Sequence, residues 1–260
     1  MNIVIIGTGN VAKVLGIQLK NAGHRVVQVV GRNEHRADEL ATLLGSSFTT
    51  SFSTIRQDAH LYLAAITDNA LPELQQHLRL PGKWIFHTAG SVPADVLSGI
   101  SENYGVLYPL QSLRGKQPAT GQIPFLINAS REAGLQLLKN LLASLNASFQ
   151  VSTDAQRLKM HLAAVWVNNF ANYLYSIAFR ICRENQLDFA LLYPLIHETG
   201  LRLSQQPGTC PDPFQWQTGP AIRHDDHTIN RHLQLLEGHA DWQDLYSRMT
   251  AGIQETGAMG

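Results

Sequence analysis

The stretch IVIIGTGNVA, Ile3 to Ala12, limits what this chain can fold into more than any other. Its four leading residues are β-branched and apolar, as in a buried strand, and Gly7 and Gly9 end that strand in a turn running straight into a helical pattern. Gly7 allows the tight turn, Gly9 lets a phosphate approach the backbone, and Ala12 lets the helix pack closely on the strand. The first turn of such a helix offers unpaired N–H groups and the positive end of its dipole. A glycine triplet alone is a weak signal. Set between a strand and a helix, it predicts a dinucleotide site on Gly7, Thr8, Gly9, Asn10 and Val11.

The same alternation continues for about 150 residues. Strand patterns fall at 2–6, 25–30, 47–48, 61–66, 84–88, 105–108, 124–128 and 148–151, and helical patterns at 11–22, 34–44, 71–77 and 131–145. Strands alternating with helices of this length predict an α/β fold with a doubly wound, mostly parallel Rossmann sheet. After Ser152 the β signal stops. STDAQRLKMHLAAVWVNNFANYLYSIAFRICRENQL reads as one helix of about thirty residues capped by Ser152 or Thr153, and further helices are expected at 189–204, 226–237 and 240–253. The expected domains are therefore 1–152, which binds the dinucleotide, and an all-helical 153–260 for substrate and dimerisation. The long helix carries Ala163, Ala164, Val165, Trp166, Val167 and Phe170, apolar on several faces. That is more than its three helical neighbours easily cover, and it predicts a homodimer.

Lysine plus arginine total 20, as do aspartate plus glutamate. The chain thus has no general attraction for nucleic acid or an anionic membrane, and any anion must be gripped locally. Cys182 and Cys210 have no partner at metal-ligand spacing and read as reduced thiols, and no metal site is expected. No apolar run nears the roughly 20 residues that cross a bilayer. The N-terminus lacks the basic start and cleavage site of a secretion signal, so a cytoplasmic protein is expected.

Where the second strand ends, about 20 residues beyond the glycine turn, NAD-binding proteins place an acid on the ribose hydroxyls. Here stand Gly31, Arg32 and Asn33. A carboxylate would repel a 2'-phosphate whereas Arg32 can pair with it, so these residues predict NADP, with Arg36 one helical turn further as a second donor. Two later turns belong to the carboxyl edge of the sheet, where this architecture binds ligands. AAITDNA offers Thr67 and Asp68 as ligands or helix caps, and FHTAGSV offers His87, Thr88 and Ser91.

IVIIGTGNVA, VVGRN, AAITDNAL, FHTAGSVPADVL, YGVLYPLQSL, KMHLAAVWVNNF and TGPAIRHDDHTINRHLQLL resemble, in that order, the landmarks of a bacterial family of two-domain NADP oxidoreductases. That family joins a Rossmann-like domain to a helical domain of unassigned function. It is similar in plan to pyrroline-5-carboxylate reductase, 6-phosphogluconate dehydrogenase and the deazaflavin-dependent NADP oxidoreductases. The resemblance covers nearly the whole chain and implies the fold, NADP as cofactor and commonly a dimer, but no substrate.

The hydroxyacid dehydrogenases of that superfamily carry a Lys and an Asn one turn apart at the start of the long helix. Here Lys159 is followed four residues on by Ala163, so the pair is absent. His161 and Asn168, seven residues apart, would share one stripe of a regular helix. They are the candidates, with Ser91, for proton donation and for orienting a carbonyl. Tyr108, Asn169 and Arg223 are the expected substrate contacts, Arg223 gripping a carboxylate, and Asp226 is expected to cap the helix near His227. The expected activity is NADP(H)-dependent hydride transfer to or from a small carbonyl, imine or hydroxy compound in the cleft between the domains. The alternative is a non-catalytic NADP sensor or interaction protein, which the missing lysine favours.

Overall fold

A computed structural model describes residues 1–118, 121–204 and 212–258. By contact the chain divides into two compact units, Met1–Phe170 and Ala171–Gly260. The first is built on β1 (Asn2–Ile6), β2 (Arg25–Val30), β3 (Ser47–Thr49), β4 (Leu61–Ala64), β5 (Trp84–His87), β6 (Tyr104–Pro109), β7 (Phe125–Ala129) and β8 (Phe149–Val151). They form one sheet in the order β3-β2-β1-β4-β5-β6-β7-β8, parallel throughout except for antiparallel β6 and β7. α1 (Asn10–Asn21), α2 (Glu34–Leu44), α3 (Leu71–His77) and α4 (Glu132–Ser144) connect them.

Along β1 the side chains alternate between two cores. Ile3 and Ile5 join Leu15, Leu40, Leu63 and Leu141, while Val4 and Ile6 join Tyr62, Leu71, Ile85 and Leu97. A strand buried on both faces reads as the unbroken apolar run that opens the sequence. Full burial of such side chains stabilises by about 1.5–3 kcal/mol each, which fixes β1 at the middle of the sheet. From there the chain winds outward to β2 and β3 and then returns to β4 on the other side. The turn after β1 therefore sits at the point where strand order reverses, the usual ligand crevice of an open α/β sheet. α2 is bounded by local chemistry: Asn33 Oδ1 accepts the Arg36 N–H at 2.9 Å, and Gly45, at φ +72°, ends the helix in the left-handed region.

The single helix expected after residue 152 is in fact three segments. α5 (Asp154–Ala164) is followed by a wide π-helical stretch, Val165–Phe170, and then by α6 (Ala171–Glu184). Thr153 is the cap, its hydroxyl accepting the Gln156 N–H while the Gln156 side chain accepts the Thr153 N–H. The wide stretch is VWVNNF, where two β-branched residues and two asparagines weaken the α-helical ladder. It holds more residues per turn, so the stripe proposed for His161 and Asn168 does not apply.

The second unit is helical: α6, α7 (Tyr193–Ser204), α8 (Asp226–Leu235) and α9 (Ala240–Ala258). Asp225, not Asp226, caps α8, accepting the Thr228 N–H at 3.0 Å and the Thr228 hydroxyl at 2.8 Å. The helix starts at Asp226, as the pattern at 226–237 indicated, and only the cap lies one residue earlier than expected. Cys182 is buried with a free thiol; Cys210 lies outside the described residues. Among the described residues no helix is long and apolar enough to cross a membrane.

Candidate functional site

Gly7, at φ +121°, is packed so closely that a Cβ there would stand 2.1 Å from the Ala65 carbonyl oxygen. Its N–H donates to Val30 O at 2.8 Å, tying the turn to β2. Gly9 differs: it precedes α1, and nothing lies within 4 Å of the place a Cβ would take. No side chain caps α1 and no acid stands in its first turn. The N–H groups beside Thr8, Asn10 and Val11 therefore remain open to an anion, as a pyrophosphate requires.

Gly31 rests on this turn, since a Cβ there would meet Thr8 Cγ2 at 2.5 Å and Ala37 Cβ at 3.2 Å. An acid at 31 would have to displace Thr8, so the missing carboxylate is also a packing requirement. Arg32 and Arg36 are exposed and in no ion pair among the described residues. Asn33 uses its Oδ1 to cap α2, leaving its amide N–H groups available. These residues fit the anionic groups of NADP. Thr67 is exposed before the short turn Asp68–Ala70, and its hydroxyl does not cap that turn.

His87 closes β5 but has no atom to offer a cofactor. It is fully buried, with Nε2 3.2 Å from Pro93 O and Nδ1 accepting the Ala89 N–H at 3.1 Å. Those partners fit a neutral ring protonated on Nε2. Burial, and then the Arg157 charge, lower its pKa to about 4. The ring shapes the loop from inside, which corrects its expected role as a ligand.

A folded pKa below the ordinary value of 6.5 means that the native state binds fewer protons between pH 4 and 6.5. The resulting stability is fully present above pH 6.5 and is lost as pH falls toward 4, about 3 kcal/mol in all at 1.36 kcal/mol per unit. Urea unfolding across this window should show the loss, and His87→Gln should flatten it.

Above this loop two polar pairs come together. Ser91 donates its hydroxyl to Asp68 Oδ2. Tyr108 on β6 meets His161 on α5, the phenol oxygen 2.9 Å from Nδ1 and the rings edge-on. Gly90 lies against both, since a Cβ there would stand 2.8 Å from His161 Nδ1 and 2.9 Å from Tyr108 Cζ. No side chain fits at 90. Burial, reinforced by the Asp68 charge, raises the Tyr108 pKa and keeps the phenol protonated near neutral pH.

Arg157 anchors the arrangement and was not foreseen from the sequence. It is 1% exposed, donates to Asp154 Oδ1 at 2.7 Å and to Gly90 O at 3.3 Å, and also donates to Val92 O. Asp154 in turn accepts the Ala94 N–H at 3.1 Å. The only trace in the sequence is the i,i+3 spacing of Asp154 and Arg157, common on exposed helices. Lys159 is exposed. Asn168 and Asn169 are exposed and meet each other, Nδ2 to Oδ1 at 3.5 Å, rather than His161. Arg223 lies in the second unit, exposed. Among the described residues no three His, Cys, Asp or Glu are grouped to hold a metal.

Residues 2–88 match the family described as NADP oxidoreductase, coenzyme F420-dependent, and residues 123–253 match the domain of unknown function DUF2520. A crystal structure from Bacteroides fragilis, described as a putative NADP oxidoreductase, is 35% identical over 98% of both chains, with a TM-score of 0.87. Pyrroline-5-carboxylate reductase of Streptococcus pyogenes is 14% identical over 98% of both chains, with a TM-score of 0.68. An imine reductase of Myxococcus stipitatus, solved with NADP+, is 16% identical over 100% of this chain and 95% of its own, also at 0.68. At these two lower identities the likeness is one of fold. No match was found among curated proteins. With one family match covering half the chain and a 35% identical relative spanning nearly all of it, the protein belongs to the two-domain NADP oxidoreductase family whose C-terminal part is the DUF2520 domain.

Proposed function

We propose that the protein is an NADPH-dependent reductase that delivers hydride to a small imine or carbonyl carbon, with His161 as proton donor. The observation that carries this reading is the Tyr108–His161 pair beside Ser91 and Asp68, at the same sheet edge as the glycine turn. NADPH, which Gly7 to Val11 would hold with Arg32 and Arg36 toward its 2'-phosphate, would supply the hydride and be left as NADP+; the protein supplies position and a proton. As the His161 Nε2 proton passes to the substrate nitrogen or oxygen, Nδ1 takes the hydroxyl proton of Tyr108, and the phenolate left behind is reprotonated from solvent. Ser91 orients the reacting atom. Arg157 is already balanced by Asp154, so the Asp68 carboxylate is the uncompensated charge here, and it favours a protonated imine over a neutral carbonyl. Asn168 and Asn169 stay candidate substrate contacts.

Titration with NADPH and NADH, followed by a screen of imines and carbonyls, tests this reading. NADPH should bind more tightly, and Arg32→Ala should weaken it by about tenfold or more while sparing NADH. His161→Ala should lower turnover by roughly 100-fold with NADPH binding retained. Full turnover in that variant would remove His161 from the mechanism. Binding without hydride transfer to any compound would favour the sensor.

We also infer a homodimer. Trp166 and Val167 in the wide-turn segment are 63% and 77% exposed, and Leu158 and Leu162 just before them in the same unit are also largely in solvent. Apolar surface this concentrated marks an interface. Sedimentation should give about 58 kDa, twice the chain mass of 28.8 kDa; a single-chain mass at micromolar concentration would contradict the dimer.

A further inference from the structure

β6 ends at Pro109 on the carboxyl edge of the sheet, but the chain does not turn directly into β7. Residues 110–118 instead run back beside α1. Leu113 packs on the core cluster that contains Ala12 and Leu15. Gln117 donates to Val14 O at 3.3 Å and accepts from Gln18 Nε2 at 3.1 Å. Gly115, at φ +72°, comes so near that a Cβ would stand 2.9 Å from Asn10 Oδ1 and 3.9 Å from Lys13 Cδ. The segment is thus pinned along α1 from its first turn onward.

Arg114 and Lys116 flank the glycine that touches the first turn of α1, and Lys13 belongs to that turn. All three are exposed, and none is in an ion pair among the described residues. Three cations beside the positive end of a helix dipole repel one another and the helix, so the arrangement is unfavourable unless an anion shares the place. Arg32 and Arg36 stand at the end of β2 and belong to a different part of the dinucleotide.

We propose that Arg114 and Lys116, with Lys13, form a cationic strap that grips the pyrophosphate of the bound dinucleotide. This rests on the NADP reading of the glycine turn. Gly115 brings the strap to the first turn of the helix, Leu113 and Gln117 hold it there, and the two long, exposed side chains would share an anion with the backbone N–H groups of that turn. A grip on the pyrophosphate adds affinity without choosing between NADP and NAD, a choice left to Arg32.

The test titrates NADPH, followed by its fluorescence, and adenosine 2'-monophosphate, followed by displacement of NADPH, into the wild-type protein, Arg114→Ala/Lys116→Ala and Arg32→Ala. Both strap residues are exposed, so the double variant should fold normally, with melting as the control. It should bind NADPH about tenfold or more weakly, with a shallower salt dependence, and bind the pyrophosphate-free nucleotide unchanged. Arg32→Ala should weaken both ligands. Unchanged NADPH affinity in the double variant, or an equal loss for both ligands, overturns the strap. Failure of the wild-type protein to bind NADPH would instead overturn the cofactor reading beneath it.

Discussion

Replacing Gly7 by alanine is expected to abolish measurable NADPH binding and to destabilise the protein by several kcal/mol. The added Cβ would lie 2.1 Å from Ala65 O, a backbone atom that cannot rotate away as a side chain can. Ala65 is held by its N–H bond to Ile6 O at 2.7 Å, and Gly7 by its bond to Val30 O at 2.8 Å. Relief would have to come from parting β1 and β4 at the centre of the sheet. The φ of +121° adds about 1–3 kcal/mol of strain for any residue with a Cβ. Gly9→Ala provides the contrast, because that Cβ meets nothing within 4 Å. It should melt like the wild type and lose only affinity, since its methyl group intrudes where a phosphate approaches. Thermal melts and NADPH titration of the two variants separate the roles, and wild-type binding by Gly7→Ala would refute the turn as described.

Much of this architecture was legible because local and tertiary signals agree in the first half of the chain. β2 and α2 begin and end where the apolar run of 25–30 and the helical pattern of 34–44 place them. Strands covered on both faces need little more than hydrophobicity and turn residues to be found. The wide-turn segment was hidden because VWVNNF keeps a helical apolar content while its backbone leaves the α ladder. The roles of His87 and Arg157 were hidden for another reason. Both are polar residues whose meaning depends on burial, and burial of a single side chain follows from packing across elements distant in sequence. Ser91 could be named from its place at the sheet edge and Tyr108 as an expected substrate contact, but their pairing with Asp68 and His161 spans 23 and 53 residues. A one-residue error at Asp225 and Asp226 arose because either carboxylate satisfies the cap pattern, and only the Thr228 bonds distinguish them.

Arg157→Met should be the most damaging substitution in the polar cluster, at about 3 kcal/mol. Methionine fills much of the same volume, so the loss isolates the charged head. Gly90 O and Val92 O would lose their guanidinium donor, and Asp154 would lose its partner. Breaking a buried ion pair from one side costs roughly 3–5 kcal/mol. Asp154 is 38% exposed and recovers some hydration, which places the expected value at the lower end. Arg157→Lys keeps the charge but cannot span both carbonyls and the carboxylate with one ammonium, so an intermediate loss is expected. The functional consequence is separable from the folding one. Without its anchor, Gly90 is no longer held against His161 and Tyr108, so hydride-transfer turnover should fall in both variants at temperatures where they remain folded. NADPH affinity, set at the glycine turn and at Arg32, should stay near wild type. An Arg157→Met protein that unfolds at the wild-type urea concentration would show that this buried pair contributes no net stability. One that also keeps wild-type turnover would show that the loop holds its place without it.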